Sequence, residues 1–544
     1  MHRLTFALVS GLMLLTGCGS AEEPAQEPAS SILFTEVTQQ AGLAGFSHYN
    51  GAAGDFWFPE TMGAGAAVVD VNDDGWQDLV LVAGGGWGES SETALQVWMN
   101  ERDGTFVREP SAEPRGLAPY GFGVIAGDLD RDGDADLVYT SLGRDAVLRN
   151  DSGRFVDVTR EVGVSEEAAW STAAAMFDAD GDGWLDLYIG KYVDWTSETD
   201  IYCSQDGQNK GYCTPELYPG TPGQFYLNRG DGTFMDRTEE AGFGEALGKT
   251  LGALVLDHNR DGLPDLMLAN DTEPDELYLN RGQGTFEEVG VISGVAFDER
   301  GRARAGMGIN SGVVDDTGEE TIFVGNFSSE MMGVYRHLGN DVFLDRAASS
   351  RIGQPSLLTL TFGIALADFD LDGDLDLFAA NGHVQPQIER VKENIRFRQP
   401  PHAFQNQGDG TFADVWTGAD EGASGWLARA VIWLDYDNDG DPDLLLTENG
   451  GPVHLLRNDA SGESLTVRLD GRPEGARVRL FTDAGVQERF VRAGESYLGQ
   501  SQIDPVFGLG STARVDSLVV HWASGAVSRV VAPEGGEVRV EEAR

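Results

Sequence analysis

The stretch DVNDDGWQD at residues 70–78 decides the fold, because its pattern D-x-[DN]-x-D-G-x-x-D recurs five more times along the chain. Average residue usage predicts a chance match at a given position on the order of once in 10⁵ or less. With a degraded copy near residue 315 included, the starts of the copies are separated by roughly 50–80 residues, which is typical of a repeat architecture. The other five copies are DLDRDGDAD at 128–136, DADGDGWLD at 178–186, DHNRDGLPD at 257–265, DFDLDGDLD at 368–376 and DYDNDGDPD at 435–443.

Each copy lies between two predicted strands. A Gly-spaced apolar run such as GAGAAVVD precedes the loop, and a β-rich run such as DLVLV follows it. In most repeats a hairpin signature such as NRGQGTF at 280–286 comes about 15–25 residues later, whereas in the third repeat an insertion intervenes. Each repeat therefore predicts four strands, which is the composition of a propeller blade.

The two ends of the chain predict that the ring is closed. The last repeat reaches LLRND at 455–459 without a Phe-bearing outer strand, and ILFTEVTQQAGL at 32–43 has the missing sequence. Residues 32–38 are thus predicted to supply the outer strand of blade seven. An open solenoid is the alternative, and it would leave two exposed edges. The seven Phe residues of the outer strands are Phe34, Phe106, Phe155, Phe234, Phe286, Phe343 and Phe412.

The predicted fold class is all-β. Residues 32–461 form a seven-bladed β-propeller closed by the N-terminal strand, and residues 462–544 form a small C-terminal β domain with alternating strands and no repeat loop. A degraded copy, GVVDDTGEETIFV at 312–324, lies between the copies at 257–265 and 368–376 and brings the number of loops to seven. It retains Asp315 and Asp316 but not the alternating carboxylates, so we assign it no metal.

The charge balance restricts the partners. The chain of 544 residues has 89 Asp and Glu against 38 Lys and Arg, a net charge of −51. Such a surface repels phosphate backbones, so we expect no binding of nucleic acid. Metal ions, basic proteins and amines are the natural partners, and a merely solvated acidic surface is the alternative. We expect a monomer.

The N-terminal segment is predicted to be an export signal. Residues 1–17 are predicted to be a signal peptide that ends in Leu15-Thr16-Gly17 before Cys18, which resembles the lipobox of bacterial lipoproteins. Residues 18–31 then form a flexible tether. We expect an exported protein held by lipid on Cys18 in the cell envelope, at the outer membrane or cell surface. An ordinary secretory signal with a chance cysteine is the alternative.

Cys203 and Cys213 remain for a disulfide in the insertion of the third repeat. An even number of cysteines in an oxidising compartment favours such a bond. Zinc is the alternative, but neither a C-x-x-C motif nor paired His residues lie nearby.

The loops carry oxygen ligands at alternate positions, which suits a hard divalent cation. Positions 1, 3, 5 and 9 offer side chains, position 7 offers a backbone carbonyl, and the Gly at position 6 lets the chain turn. We expect about six structural Ca²⁺ ions, because Mg²⁺ is less suited to a flexible all-protein cage. Acidic turns without an ion are the alternative, which like-charge repulsion opposes. In positional order, the candidate ligands are Asp70, Asn72, Asp74, Trp76 and Asp78; Asp128, Asp130, Asp132, Asp134 and Asp136; Asp178, Asp180, Asp182, Trp184 and Asp186; Asp257, Asn259, Asp261, Leu263 and Asp265; Asp368, Asp370, Asp372, Asp374 and Asp376; and Asp435, Asp437, Asp439, Asp441 and Asp443.

These loops, with their GDGTF hairpins, resemble the FG-GAP/VCBS repeats of integrin-like propellers. GARVRLF at 475–481, SYLGQSQIDPVFGLG at 496–510 and VDSLVVHWASG at 515–525 resemble the ASPIC/UnbV domain of the cartilage acidic protein-like family. The resemblance implies a secreted, calcium-loaded, seven-bladed propeller with an appended β domain. It implies no common catalytic residues.

A ligand is expected at the channel mouth opposite the metal loops, near Lys249, Arg304, Arg429 and His383. The three cations, Lys249, Arg304 and Arg429, would favour an acidic group such as a uronic acid or a carboxylate side chain, and mere neutralisation of neighbouring acids is the alternative. Trp57, Trp87, Trp98 and Trp195 suit sugar stacking and blade packing equally. We expect a calcium-dependent binding or adhesion protein that engages a protein or carbohydrate, and no enzyme. A polysaccharide lyase or hydrolase is the alternative function.

Overall fold

The computed structural model describes residues 32–87, 94–204, 207–246, 248–417, 425–510, 514–533 and 536–542. The predicted signal peptide, the tether and the lipidation site Cys18 lie outside the described residues. No helix in this described part is long and apolar enough to cross a membrane.

Seven antiparallel four-stranded units follow one another around a ring, as the repeats predict. Blades two and three also pair directly, through Ala169 with Gly143 and Trp170 with Leu142. From the inner to the outer strand, the blades are Ala66–Val69, Asp78–Val82, Leu95–Asn100 and Phe106–Arg108; Gly121–Gly127, Asp136–Gly143, Ala146–Asn150 and Phe155–Asp157; Ala169–Phe177, Asp186–Lys191, Gln224–Asn228 and Phe234–Asp236; Thr250–Leu256, Asp265–Asn270, Glu276–Asn280 and Phe286–Glu288; Gly306–Val313, Glu320–Asn326, Gly333–His337 and Phe343–Asp345; Thr361–Ala367, Asp376–Asn381, His402–Asn406 and Phe412–Asp414; and Ala428–Leu434, Asp443–Glu448, Val453–Asn458 and Phe34–Glu36.

The N-terminal strand closes the ring. Phe34, Thr35 and Glu36 pair antiparallel with Asn458, Arg457 and Leu456 of blade seven. The predicted permutation and the closed propeller are confirmed. Short helices interrupt the connections: the α-helices Thr159–Val162, Thr238–Ala241, Gly290–Ser293, Gly353–Ser356 and Ile388–Val391, and the 3₁₀ helices Leu43–Gly45, Phe58–Thr61 and Pro215–Leu217.

The C-terminal domain consists of two small sheets around an apolar core that includes Val478, Phe507 and Trp522. In one sheet, Ser464–Asp470 lies between Val506–Gly508 and Glu537–Glu541. The other sheet has the order Val486–Phe490, Arg477–Thr482, Val515–His521 and Val527–Val531. The small β domain is therefore present as predicted.

One segment of this domain, residues 493–502, enters the centre of the propeller, and we call it the plug. Gly499–Gln500 within it adds a parallel strand to Ala66 and Ala67 of blade one. Ala493 bridges to Met176 of blade three, and Ser496 bridges to Ile309 of blade five. The sequence did not predict this insertion, because nothing in a local pattern says where a second domain docks.

The plug explains part of the glycine spacing in the inner strands. A Cβ on Gly65 would lie 2.1 Å from the carbonyl oxygen of Leu498 in the plug. A Cβ on Gly308 would lie 2.2 Å from the carbonyl oxygen of Phe362 and 2.9 Å from that of Ser496. At both positions only glycine leaves room for the backbones that converge on the axis.

The insertion of blade three runs between Asp186–Lys191 and Gln224–Asn228. Cys203 and Cys213 form the predicted disulfide, with Cα atoms 5.2 Å apart. Close to it, the chain pairs Val193 with Gly220, so the insertion returns to its starting point as a closed loop.

Candidate metal centres

Six loops join the inner and second strands of their blades, and their glycine-dependent turn has the predicted form. Gly75 has φ +85° and Gly133 has φ +100°, in the left-handed region that glycine tolerates. The amide of Gly75 donates a hydrogen bond to Asp70 Oδ2 over 2.7 Å. The turn therefore folds back so that the first carboxylate faces the interior of the loop.

Four loops bring the carboxylates of positions 1, 3 and 9 together. In each group, one oxygen from each of three carboxylates lies within 4.8 Å of the other two. Such an oxygen-only set suits a hard divalent cation. The groups are Asp128, Asp130 and Asp136; Asp178, Asp180 and Asp186; Asp368, Asp370 and Asp376; and Asp435, Asp437 and Asp443.

The aspartate at position 9 also connects the strands. Asp136 Oδ2 accepts the amide N–H of Leu129 at 3.1 Å, and its Oδ1 accepts that of Asn150 at 2.9 Å. The same pair of bonds recurs at Asp186, from Ala179 and Asn228. One side chain thus fixes the loop to the third strand of its own blade.

The first Asn of each hairpin signature has a role that the sequence analysis missed. In six blades its side-chain amide donates to a backbone carbonyl in the loop region of the preceding blade, at 2.8–3.3 Å. The recurrence of Asn at this position was the available signal, but a role in the hairpin turn was enough to explain it. The pairs are Asn100 with Tyr436, Asn150 with Val71, Asn228 with Leu129, Asn280 with Ala179, Asn406 with Val314 and Asn458 with Phe369.

The fifth blade departs from this pattern in a physically consistent way. His337 stands where the other blades have this Asn, and its ring contacts that of His258 at 5.3 Å between centroids. His258 Nδ1 lies 2.7 Å from Asp265 Oδ2. In other blades the equivalent Oδ2 atom accepts a hydrogen bond from a backbone amide of the loop. Two imidazoles therefore replace the amide connection between blades four and five.

Buried carboxylate oxygens without partners show that the donor set fits a cation. The Oδ1 atoms of Asp128, Asp368 and Asp437 are buried and have no hydrogen-bond partner among the described residues. Burial raises the pKa of Asp136 to about 7 and that of Asp186 to about 8. Burial of uncompensated carboxylates is costly, and a bound cation would remove that cost.

Protein cations approach two loops in which Asn replaces Asp at position 3. In the first loop, Arg102 forms an ion pair with Asp74 at 2.6 Å. In the fourth, Arg477 Nη2 lies 3.2 Å from Asp257 Oδ2. The degraded loop of blade five holds Asp315 against Arg336 at 2.8 Å. Of the three, this loop was the one predicted to bind no metal.

The C-terminal domain covers the face that carries the metal loops. The amide of Gly508 donates to Asp368 Oδ2 at 3.0 Å, and Arg468 donates to Asn438 Oδ1 at 3.2 Å. With the Arg477–Asp257 contact, the domain touches the loops of blades four, six and seven. Cations in these loops would therefore lie close to the contact between the two domains.

The four residues predicted to meet a ligand lie inside the protein. Arg429 is 1% exposed and donates to the carbonyls of Thr61, Gly382 and Ala428. Lys249 pairs with Glu273 at 2.8 Å, and buried Arg304 pairs with Asp345. Ligand binding through these groups stays a prediction, and it requires the segment around Phe58–Thr61 to move from Arg429.

His383 is buried beside this cluster. Burial, assisted by the charge of Arg429, lowers the pKa of His383 to about 3. Its Nδ1 accepts the amide N–H of Gln385 at 3.0 Å. The imidazole is therefore neutral at physiological pH and packed against Phe327, as expected for a structural loop histidine.

Comparisons with known proteins agree with this architecture. The model of the FG-GAP-like repeat matches residues 70–139, 128–189 and 395–446, and that of ASPIC and UnbV matches residues 472–542. The chain carries FG-GAP-like repeats and an ASPIC and UnbV domain.

The relatives extend over most of the chain. It is homologous to cartilage acidic protein 1, with 24% identity to the Homo sapiens protein over 506 residues, covering 87% of this chain and 71% of the relative. Integrin alpha-3 of Mus musculus is 28% identical over 149 residues, 24% of this chain and 14% of the integrin. Repeats and integrin likeness support a binding-type β-propeller.

Among solved structures, an Agrocybe aegerita lectin that recognises non-reducing terminal N-acetylglucosamine has a TM-score of 0.39 and 15% identity. The match covers 72% of this chain and 86% of the lectin.

Proposed function

We propose that this protein is a calcium-stabilised binding protein of the cell envelope that engages a protein or carbohydrate ligand through its propeller. The observation that carries the proposal is the convergence of three carboxylates in each of four equivalent loops, within an integrin-like repeat. These loops stabilise a rigid scaffold, on whose other surfaces binding residues can be presented.

Calcium is the cation that best suits the loops. Six loops supply Asp or Asn at position 3 and Asp at positions 1, 5 and 9, so about six Ca²⁺ ions are expected. Ca²⁺ accepts six to eight oxygen ligands in flexible geometry, whereas Mg²⁺ demands a near-ideal octahedron and retains several waters. The bound ions would neutralise the buried carboxylates and hold each loop in its turn.

Export and lipid anchoring complete the proposal. The Cys203–Cys213 disulfide is typical of an oxidising compartment, and the motif before Cys18 predicts the anchor. We expect Cys18→Ser to give an unlipidated form that leaves the membrane fraction. A variant that fractionates with membranes as tightly as the wild type would contradict the anchor.

Parallel glycan and protein arrays test the binding function, each probed in about 2 mM Ca²⁺ or in EDTA. Millimolar calcium is chosen because extracellular calcium modules bind the ion in about that range. We expect a ligand on one array that is retained in Ca²⁺ and lost in EDTA. Any glycan hit is then incubated with the protein, and release of sugar fragments would identify the alternative, a polysaccharide lyase or hydrolase. Failure to bind on both arrays would contradict the proposal.

A further inference from the structure

We propose that a cleft beside blades two and three, on the face opposite the metal loops, binds a neutral carbohydrate. This inference rests on the proposed binding function and adds a place and a ligand class. The cleft has a volume of about 580 Å³, within the range of small-ligand sites. Trp87, Trp170 and Trp195 line it, together with the ends of the insertion of blade three.

The aromatic side chains of the cleft are fixed in place. Trp87 Nε1 donates to the carbonyl of Gly51 at 3.0 Å, and Trp195 Nε1 donates to Asp200 Oδ1 at 3.1 Å. Trp57 packs edge-on against Trp87, with ring centroids 4.6 Å apart. Because the indole N–H groups of Trp87 and Trp195 are already bonded inside the protein, these two rings keep one orientation, and a ligand does not have to order them.

The insertion of blade three forms the far wall of the cleft. The amide of Asp194 donates to the carbonyl of Pro219 at 2.9 Å, and that of Thr221 donates to Tyr192 at 3.0 Å. The Cys203–Cys213 disulfide closes the loop between these two strands of chain. The third repeat therefore differs from the others in a way that creates a wall beside three tryptophans.

The rim favours a neutral polyol. Asp194, Thr196 and Ser197 are exposed there. Among the described residues that line the cleft, Asp194 is the one carboxylate, and none is Lys or Arg. A sugar ring offers apolar C–H faces to aromatic rings and hydroxyls to a polar rim. Asp194 and the net charge of −51 would repel a uronate.

A cationic ligand is the competing chemistry, because aromatic rings also attract ammonium groups. A single rim carboxylate beside several hydroxyl groups is a weak counterion for such a ligand. The volume of the cleft, its aromatic lining and its largely uncharged rim together favour the carbohydrate.

The experiment measures the whole exported protein in Ca²⁺ against neutral oligosaccharides, uronate-bearing oligosaccharides and tetramethylammonium chloride. The tightest neutral oligosaccharide is then titrated calorimetrically into the wild type, Trp87→Ala and Ser197→Trp. The second variant changes an exposed residue, so the fold is retained while the cleft is narrowed. Tyr202→Ala is the matched control, because Tyr202 is 66% exposed on the same insertion and does not line the cleft.

We expect each cleft variant to weaken binding at least tenfold and the control to bind like the wild type. Unchanged affinity in both cleft variants would overturn the site while leaving the binding function intact. Binding of only uronates or only tetramethylammonium would overturn the ligand class. Absence of any glycan binding, with a protein ligand retained on the protein array, would overturn this inference and not the proposed function.

Discussion

At the scale of single residues, the carboxylate of Asp136 accepts hydrogen bonds from Leu129 and Asn150 and also approaches Asp128 and Asp130. The same side chain therefore serves the sheet and the candidate cation site. Asp130 contributes to the cluster from a more exposed position. Position 3 is consequently the better place to remove a metal ligand without breaking the blade.

Asp180→Ala tests this separation in blade three. We expect the melting temperature in millimolar Ca²⁺ to fall by about 2 °C or more, since losing one bound ion removes about 1–3 kcal/mol of stabilisation. In EDTA the variant and the wild type should melt alike. The measurement is differential scanning calorimetry in both buffers.

Asp316→Ala is the matched control, because Asp316 is exposed in the degraded loop of blade five. Its melting temperature should follow the wild type in both buffers. An equal loss for Asp180→Ala with and without calcium would show that this carboxylate has a purely structural role.

At the scale of elements, ring closure depends on a short strand of three residues, Phe34–Glu36. An imidazole supports it: His454 Nδ1 lies 3.2 Å from Glu36 Oε2, and its Nε2 lies 2.9 Å from Glu448 Oε1. Burial works to lower the pKa of His454, but the two carboxylates raise it to about 9. The protonated imidazole therefore ties the N-terminal strand to blade seven.

The pH dependence of stability should reveal this tie. Because the pKa of His454 is higher in the folded protein than its usual value near 6.5, the stabilisation is fully present below pH ~6.5. It is lost as the pH rises through about 9. The maximum contribution is about 3 kcal/mol.

His454→Gln supplies the comparison. Chemical denaturation from pH 6 to pH 10 should give a free-energy difference between wild type and variant that shrinks with rising pH. A difference that stays constant over this range would contradict the assignment of a charged imidazole to ring closure.

The repeat elements were predictable because each loop is encoded locally. Alternating carboxylates and a glycine at DVNDDGWQD specify the turn, and the Phe34 strand could be assigned by its likeness to outer strands such as that of Phe234. The burial of Arg429 was not predictable, because it depends on Thr61, 368 residues away in sequence. The plug was missed for the same reason: SYLGQSQ shows no periodicity that identifies a propeller axis as its surroundings.

At the scale of the whole molecule, the C-terminal domain occupies both the metal face and the centre of the ring. Gly508 contacts the metal loop of blade six, and Ser496 lies between the inner strands. The two domains consequently share a buried contact, in which polar groups of one domain are hydrogen-bonded by the other. Metal binding and domain docking are therefore expected to be thermodynamically linked.

Chelation should expose this linkage. Calcium bound to the folded loops would stabilise the native state, so its removal with EDTA should lower the melting temperature of the whole chain by much more than a matched change in ionic strength does. Metal analysis of the calcium-loaded protein should find about six ions per chain. Identical calorimetric curves in EDTA and in millimolar Ca²⁺ would contradict a structural role for calcium.

Within the plug, Ser496 forms hydrogen bonds to three different blades. Ser496 exchanges backbone hydrogen bonds with Ile309 at 2.8 and 2.9 Å. Its hydroxyl donates to the carbonyl of Val431 at 2.8 Å and accepts the amide of Ile364 at 3.0 Å. This one residue therefore satisfies polar groups of blades five, six and seven at a place that water does not reach.

Ser496→Ala should destabilise the protein by about 1–3 kcal/mol, the cost of leaving buried backbone groups without a partner. Because the plug is part of the C-terminal domain and is hydrogen-bonded inside the propeller, we expect calorimetry to show one transition for the wild type and one, at lower temperature, for the variant. Ser461→Ala, at an exposed position before the C-terminal domain, should melt like the wild type. Two independent transitions, with that of the propeller unmoved in Ser496→Ala, would show that the ring is stable without its plug.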